Sequence, residues 1–160
     1  FLFTTTLENN ISYGNPWALP SQIIDASSSA QLEQFIATLP EGYKTVVGER
    51  GASLSGGQRQ RMTIARALLL NPSVLIFDDS TASVDAATEQ LIRTSIQARV
   101  SERVTIIVAH RLNSLMHADR IFFLEQGQIV EQGSHAELVA IGGRYHALHE
   151  LQNRPEEPTS

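Results

Sequence analysis

Leu54-Ser55-Gly56-Gly57-Gln58 decides how the rest of the chain is read. It stands directly before residues 59–70, a run that predicts a helix. Ser55 can cap that helix, and two glycines let its backbone come close to another molecule. A capping serine, bare glycines and the positive end of a helix dipole make a site for an anion, above all a phosphate. Along the helix Met62, Ala65, Leu68 and Leu69 form an apolar face, and Arg59 and Arg66 share another. Asn71-Pro72 stops it.

Downstream, residues 73–77 are a short, continuously apolar run, which predicts a strand buried on both faces, as in a parallel sheet. Asp78 and Asp79 come at its C-terminal end, where open α/β sheets place their ligands. Residues 80–85 read as a loop. Residues 86–99 read as a helix with Leu91, Ile92, Ile96 and Val100 turned inward. A second buried strand, 105–109, ends at His110, and a third, 120–124, turns through Glu125-Gln126-Gly127 into 128–130 as a hairpin. Ser134 caps a last helix pair over 135–152, broken at Gly142-Gly143. The polar, proline-containing residues 153–160 predict disorder. Strand, helix, strand, strand, with polar groups at strand ends, argues a doubly wound α/β parallel sheet of which about half is present.

Upstream the pattern is helical, with no convincing strand. Residues 1–7 are apolar and threonine-rich, and residues 8–16 break into turn signals. Ser21 can cap a helix reaching Ser27, and Ser29 a second over 30–38 with Leu32, Phe35, Ile36 and Leu39 on one face. Residues 45–51 read as an exposed loop bracketed by glycines, in its plainest form a connector with a solvated ion pair of Glu49 and Arg50.

The 160 residues are one domain's worth of chain, 42% apolar, with a net charge of −5. That charge gives no basic footprint for nucleic acid. Cysteine is absent, which excludes disulfides and thiolate metal sites, and the five histidines show no zinc spacing. No apolar run reaches the roughly 18 residues that cross a bilayer, and no signal peptide is visible. A start at Phe1 rather than Met points to a processed, excised or incomplete chain. The single lysine, Lys44, comes after Tyr43 and cannot serve a phosphate-cradling P-loop, which needs Gly-Lys-Ser/Thr after a glycine-rich turn. This stretch therefore carries no P-loop of its own.

Four residues carry candidate chemistry. Asp78, at a strand end, can hold a hard cation such as magnesium through water, or can simply cap the next helix. Asp79 can polarise an attacking water in a phosphoryl-hydrolysing site. His110 can touch a γ-phosphate or be structural. Asp85 can be an N-cap for the helix from Ala86.

Taken together, these motifs strongly resemble the nucleotide-binding domain of ABC transporters, in its exporter type, over residues 1–152. Leu54 to Gln58 is similar to the signature motif, and Val74-Leu75-Ile76-Phe77-Asp78 to the Walker B strand. Ser83-Val84-Asp85 resembles the D-loop, and His110 the switch histidine. Val47-Gly48-Glu49-Arg50-Gly51 resembles the exporter loop that meets the coupling helices of the membrane domains. Residues 1–11 resemble the stretch just after the Q-loop glutamine.

The resemblance implies a partial P-loop NTPase (RecA-like) sheet with the ABC α-helical subdomain. Residues 1–72 would be the helical subdomain, 73–152 the C-terminal part of the ATPase core, and 153–160 a disordered tail. It implies ATP and Mg2+ as cofactors, and a second nucleotide-binding domain as partner, arranged head to tail in a heterodimer. Ser55, Gly56, Gly57 and Gln58, with Asp85, would bind nucleotide, the signature acting on ATP held by the partner. Asp78 would hold the metal, Asp79 and His110 would be catalytic, and Glu49 and Arg50 would contact the membrane domains. The parent protein would sit in the cell membrane with this segment on its cytoplasmic face. Two departures stand out. The Walker A loop and the Q-loop glutamine are not in this stretch, so the segment alone is expected to be inactive. The family's catalytic glutamate is here Asp79, one methylene shorter, as in half-transporters with one degenerate site. Competing readings are a soluble ABC ATPase of translation or of DNA repair, and a non-catalytic interaction module.

Overall fold

The computed structural model describes residues 1–78, 84–98, 104–109 and 111–153. The chain forms two compact units, Phe1–Ile106 and Ile107–Ser160.

In the first unit, α1 (Leu7–Ile11) begins at Thr6, whose hydroxyl accepts from the Asn9 amide at 3.2 Å. Asn10 is fully buried and ties the strand-like entry to the helix. Its Oδ1 accepts from Phe3 N at 2.9 Å and its Nδ2 donates to Phe3 O at 3.0 Å. Thr6 and Val46 form an isolated antiparallel bridge and Val47 is buried, so the start of the expected exposed loop is tied down, although Val46 itself is exposed. No ion pair joins Glu49 to Arg50 among the described residues.

Helix α2 (Pro20–Ser29) starts two residues earlier than expected, because Pro20 is already set for a first helical position. Leu19, not Ser21, is the N-cap, its amide donating to Gln22 Oε1 at 2.8 Å. Ser29 is not a cap either. Its hydroxyl donates to the Asp25 carbonyl and that of Ser27 to the Ile23 carbonyl, both at 2.8 Å, so these serines satisfy themselves inside the helix. The next helix, α3 (Glu33–Ala37), is correspondingly short.

Helix α4 (Gly56–Leu69) is the axis of this unit, with α1 and α2 both packed against it. That double contact buries Ile64 as well as Met62, Ala65 and Leu68. Strand β1 (Val74–Asp78) comes next, then α5 (Ala86–Gln97) and β2 (Val104–Val108), which lies beside β1 in a small parallel sheet. Neither strand is buried on both faces. Leu75 is 4% exposed while Val74 and Ile76 are 51% and 62% exposed, because the core of this unit covers one face only. On α5, Ile92 and Ile96 face inward as expected, whereas Leu91 is exposed and Val100 lies outside the described residues.

In the second unit, β3 (Ile121–Glu125) pairs antiparallel with β4 (Gln128–Gly133) as a separate two-stranded sheet rather than a third strand beside β1 and β2. Positive φ at both Gln126 (50°) and Gly127 (78°) gives the turn whose twist suits a hairpin. Ser134 caps α6 (His135–Ile141) in a reciprocal box with Glu137, and Gly142 ends it at φ 69°. Helix α7 (Arg144–Gln152) closes the unit. Leu112, Ile121, Leu138 and Tyr145 form its core.

Candidate phosphate-binding site at the start of helix α4

Ser55 is the N-cap of α4, in extended conformation (φ −65°, ψ 164°). Its hydroxyl accepts from the Gln58 amide at 3.2 Å, and Gln58 Oε1 accepts from the Ser55 amide at 2.8 Å. The box forms because Ser and Gln stand three residues apart. Arg59 N donates to the Ser55 carbonyl at 2.9 Å as the first helical bond. What remains are the amides of Gly56 and Gly57, the first two of the helix, which no acceptor reaches among the described residues. No acidic side chain occupies the first turn, and Ser55 is exposed. Two neighbouring N–H groups, the helix dipole and an exposed hydroxyl suit an oxyanion brought from outside the chain. Ser55, Gly56, Gly57 and Gln58 are thus brought together, with the Gln58 side-chain oxygen spent on the box. Beside them lies an open cleft of about 320 Å³ lined by Phe1, Leu2, Arg50, Gly56, Arg59, Gln60 and Thr63.

Arginines of α4 fasten its surroundings. Arg59 Nη1 donates to the Leu54 carbonyl at 2.6 Å, holding the residue before the cap. Arg61 Nη1 donates to the Gln31 carbonyl. Arg66 reaches back to residues 1–13, and burial lowers its pKa from the ordinary arginine value, with Tyr13 acting the opposite way. Sequence reading placed Arg59 and Arg66 only on a helix face and passed over Asn10. The signal for Asn10 is weak, a lone polar residue among turn-formers, one of whose partners, Arg66, lies 56 positions away.

Glu49 and Arg50 are exposed in a single 3-10 turn, Glu49–Gly51, with Arg50 left-handed at φ 51°. Asp78 is exposed at the end of β1. Asp85 caps α5: Oδ1 accepts from Thr88 N at 2.9 Å and Oδ2 from Thr88 Oγ1 at 2.7 Å. The backbone bond from Thr88, then its hydroxyl, hold the Asp85 carboxyl below its ordinary value. Asp79, Ser83 and His110 lie outside the described residues.

The glycine-opened start of α4 thus leads into a strand with an acidic end. Residues 1–82 match the family described as ABC transporter, and the chain belongs to that family. It is 50% identical over 154 residues to an uncharacterised ABC transporter ATP-binding protein of Bacillus subtilis, covering 96% of this chain and 26% of the relative. It is 45% identical over 156 residues to an ATP-dependent lipid A-core flippase of Syntrophus aciditrophicus, covering 98% and 26%. Among solved structures, a bacterial Atm1-family ABC exporter with ATP bound superposes with a TM-score of 0.93 at 43% identity, covering 98% of this chain and 27% of that one. The chain spans about a quarter of the length of the curated relatives it matches. Its partial α/β fold is that of an exporter's ATPase segment.

Proposed function

We propose that this chain is the signature-bearing part of an ATP-hydrolysing motor domain in an ABC exporter, on the cytoplasmic face of the membrane. The observation that carries this is the pair of open amides at Gly56 and Gly57, beside an exposed Ser55 and with no acid in the first turn. Such a site holds the γ-phosphate of an ATP whose other phosphates are gripped by a different domain, since Lys44 is the only lysine here and is not part of a P-loop. Glu49 and Arg50, exposed in one turn, are the surface offered to the coupling helices of the membrane domains. Residues 1–72 form the helical subdomain in this reading, and 73–152 the C-terminal part of the ATPase core.

Asp78 fits a magnesium ion in one respect. It is an exposed carboxylate at a strand end, and no group of three metal-ligating side chains occurs among the described residues. Magnesium is commonly held by one or two carboxylates, with phosphates and water supplying the rest. Magnesium, when bound, supplies neutralisation of the phosphate charge. Asp79 would orient the attacking water and His110 would contact the γ-phosphate. One methylene less than glutamate leaves the Asp79 carboxylate short by on the order of an ångström, a misplacement that can cost about 100-fold. The Walker side of this chain would then be the slow one, its signature serving the faster site of a heterodimer.

ATP hydrolysis by the full-length protein with its partner tests the reading. Hydrolysis that requires both chains supports it, and its absence from the assembled pair overturns it. With the partner's catalytic glutamate disabled, Asp79→Glu is expected to raise turnover by about tenfold or more, part of the loss a displaced carboxylate can cause. Unchanged turnover would dismiss the slow-site assignment while leaving the rest standing.

A further inference from the structure

A rod is aimed by whatever grips its far end. The phosphate donors of α4 lie at its start, and Arg66 lies in its last turn. Arg66 makes three hydrogen bonds to distant chain: Nε to the Asn10 carbonyl at 2.8 Å, Nη1 to the Phe1 carbonyl at 2.9 Å, and Nη2 to Asn10 Oδ1 at 3.0 Å. Its guanidinium carbon also sits 5.6 Å from the Phe3 ring centre and 5.4 Å from that of Tyr13. Those rings stack on each other at 4.4 Å. The anchoring side is itself rigid, because fully buried Asn10 bonds both backbone groups of Phe3. Lysine cannot replace this arrangement. It has a point charge in place of a planar fork, so it cannot hold the two Asn10 acceptors and the Phe1 carbonyl while lying against the rings.

We propose that Arg66 is a positioning residue for the phosphate site, fixing the tilt of α4 against residues 1–13 and so the placement of the Gly56 and Gly57 amides. The leverage is simple. Arg66 and Gly56 are separated by about 15 Å of helix at roughly 1.5 Å per residue. A tilt of roughly 4° over that length moves the amides by about 1 Å, enough for a rate loss on the order of 100-fold. The inference rests on the function proposed above.

The test is Arg66→Lys, with Arg66→Met beside it, in the full-length exporter. Two quantities are measured: ATP turnover, and the stoichiometry of bound nucleotide that counts correctly folded sites. Positioning predicts a fall in kcat of about tenfold or more for Arg66→Lys, larger for Arg66→Met. It also predicts unchanged nucleotide stoichiometry and a KM for ATP within about twofold, as when an interaction of the transition state alone is lost. If stoichiometry falls in proportion to turnover, Arg66 merely holds the fold and the proposal is overturned. It is overturned equally if Arg66→Lys leaves both quantities unchanged. Should Arg66→Met fail to fold, the Lys variant, which keeps the charge and most of the stem, decides alone. An unmodified protein that hydrolyses nothing removes the function proposed above and this inference with it, and that control separates the two failures.

Discussion

The starts of α4 and α7 pose the same problem and answer it differently. Each leaves two leading amides without a helical partner. At α7 those amides belong to Arg144 and Tyr145, and both are taken by one carboxylate: Glu131 Oε1 accepts from Arg144 N at 2.6 Å and Oε2 from Tyr145 N at 3.0 Å. At α4 the amides belong to Gly56 and Gly57, and the described residues supply nothing to them. The second unit thus fills, with its own glutamate, the two leading amides of a helix, whereas the described residues leave those of α4 open. The glycines differ to match. Gly143 makes room for the internal acid, since a Cβ there would lie 2.4 Å from Glu131 Oε1. In the function proposed above, Gly56 and Gly57 keep the approach clear for an external one. A glycine pair near a helix start is therefore not a phosphate site in itself. In the function proposed above, the site is made by the absence of an internal anion among the described residues.

Supplying α4 with its own carboxylate should erase the difference. Gly56→Asp adds an acid where the helix dipole favours one, so the helix stays formed while phosphate is repelled. Hydrolysis by the full-length protein should fall at least about 100-fold, the scale of losing an oxyanion donor. Unaltered turnover would remove the glycine amides from the mechanism.

The reverse change, Glu131→Ala, should cost the second unit about 2 kcal/mol, because an exposed amide and a half-buried one both lose a charged acceptor. Faster hydrogen exchange at Arg144 and Tyr145 with a lowered melting temperature is the expected signature, while exchange in α4 stays as it was. Gly143→Ala should act in the same direction more weakly, by about 1 kcal/mol, as the carboxylate swings aside to weaken one bond. Equal exchange rates in that variant and the unmodified chain would show that Glu131 does not need the space.

Acid should produce the smallest change, at the helix starts that carry their own acids in sequence. Glu137 is held below its ordinary pKa by the backbone amide and hydroxyl of Ser134, and Asp85 by Thr88. A depressed folded pKa means the contribution is complete above the ordinary carboxylate range and is lost as pH falls through the lower folded value. Helical circular dichroism of α5 and α6 should therefore decline on the acid side. Asp85→Asn and Glu137→Gln should flatten that decline, and an identical acid profile in the double variant would argue against the assignment.

The contrast between the two helix starts also marks what the sequence could reveal. The α4 cap was legible because Ser55 and Gln58 stand three residues apart and their bonds are local. The hairpin turn and the break at Gly142-Gly143 were legible for the same reason. Glu131 was not, since it caps a helix 13 residues downstream through the fold of β4. Arg66 was not, since its partners lie 56 and 65 positions away. Ser29 misled because a hydroxyl that suits a cap suits an i−4 carbonyl equally well. The continuous apolar run of β1 promised burial on both faces, and hydropathy alone cannot say that only one is covered within this stretch.

Central to the account is that α4 offers half of a nucleotide site, the other half being held by another domain. Calorimetric titration of ATP and magnesium onto the isolated 160-residue chain, its helix content first verified, tests this most directly. The account predicts no tight binding, with saturation absent at micromolar nucleotide. Stoichiometric binding in that range would contradict it, because a phosphate-gripping set would then have to exist within these residues.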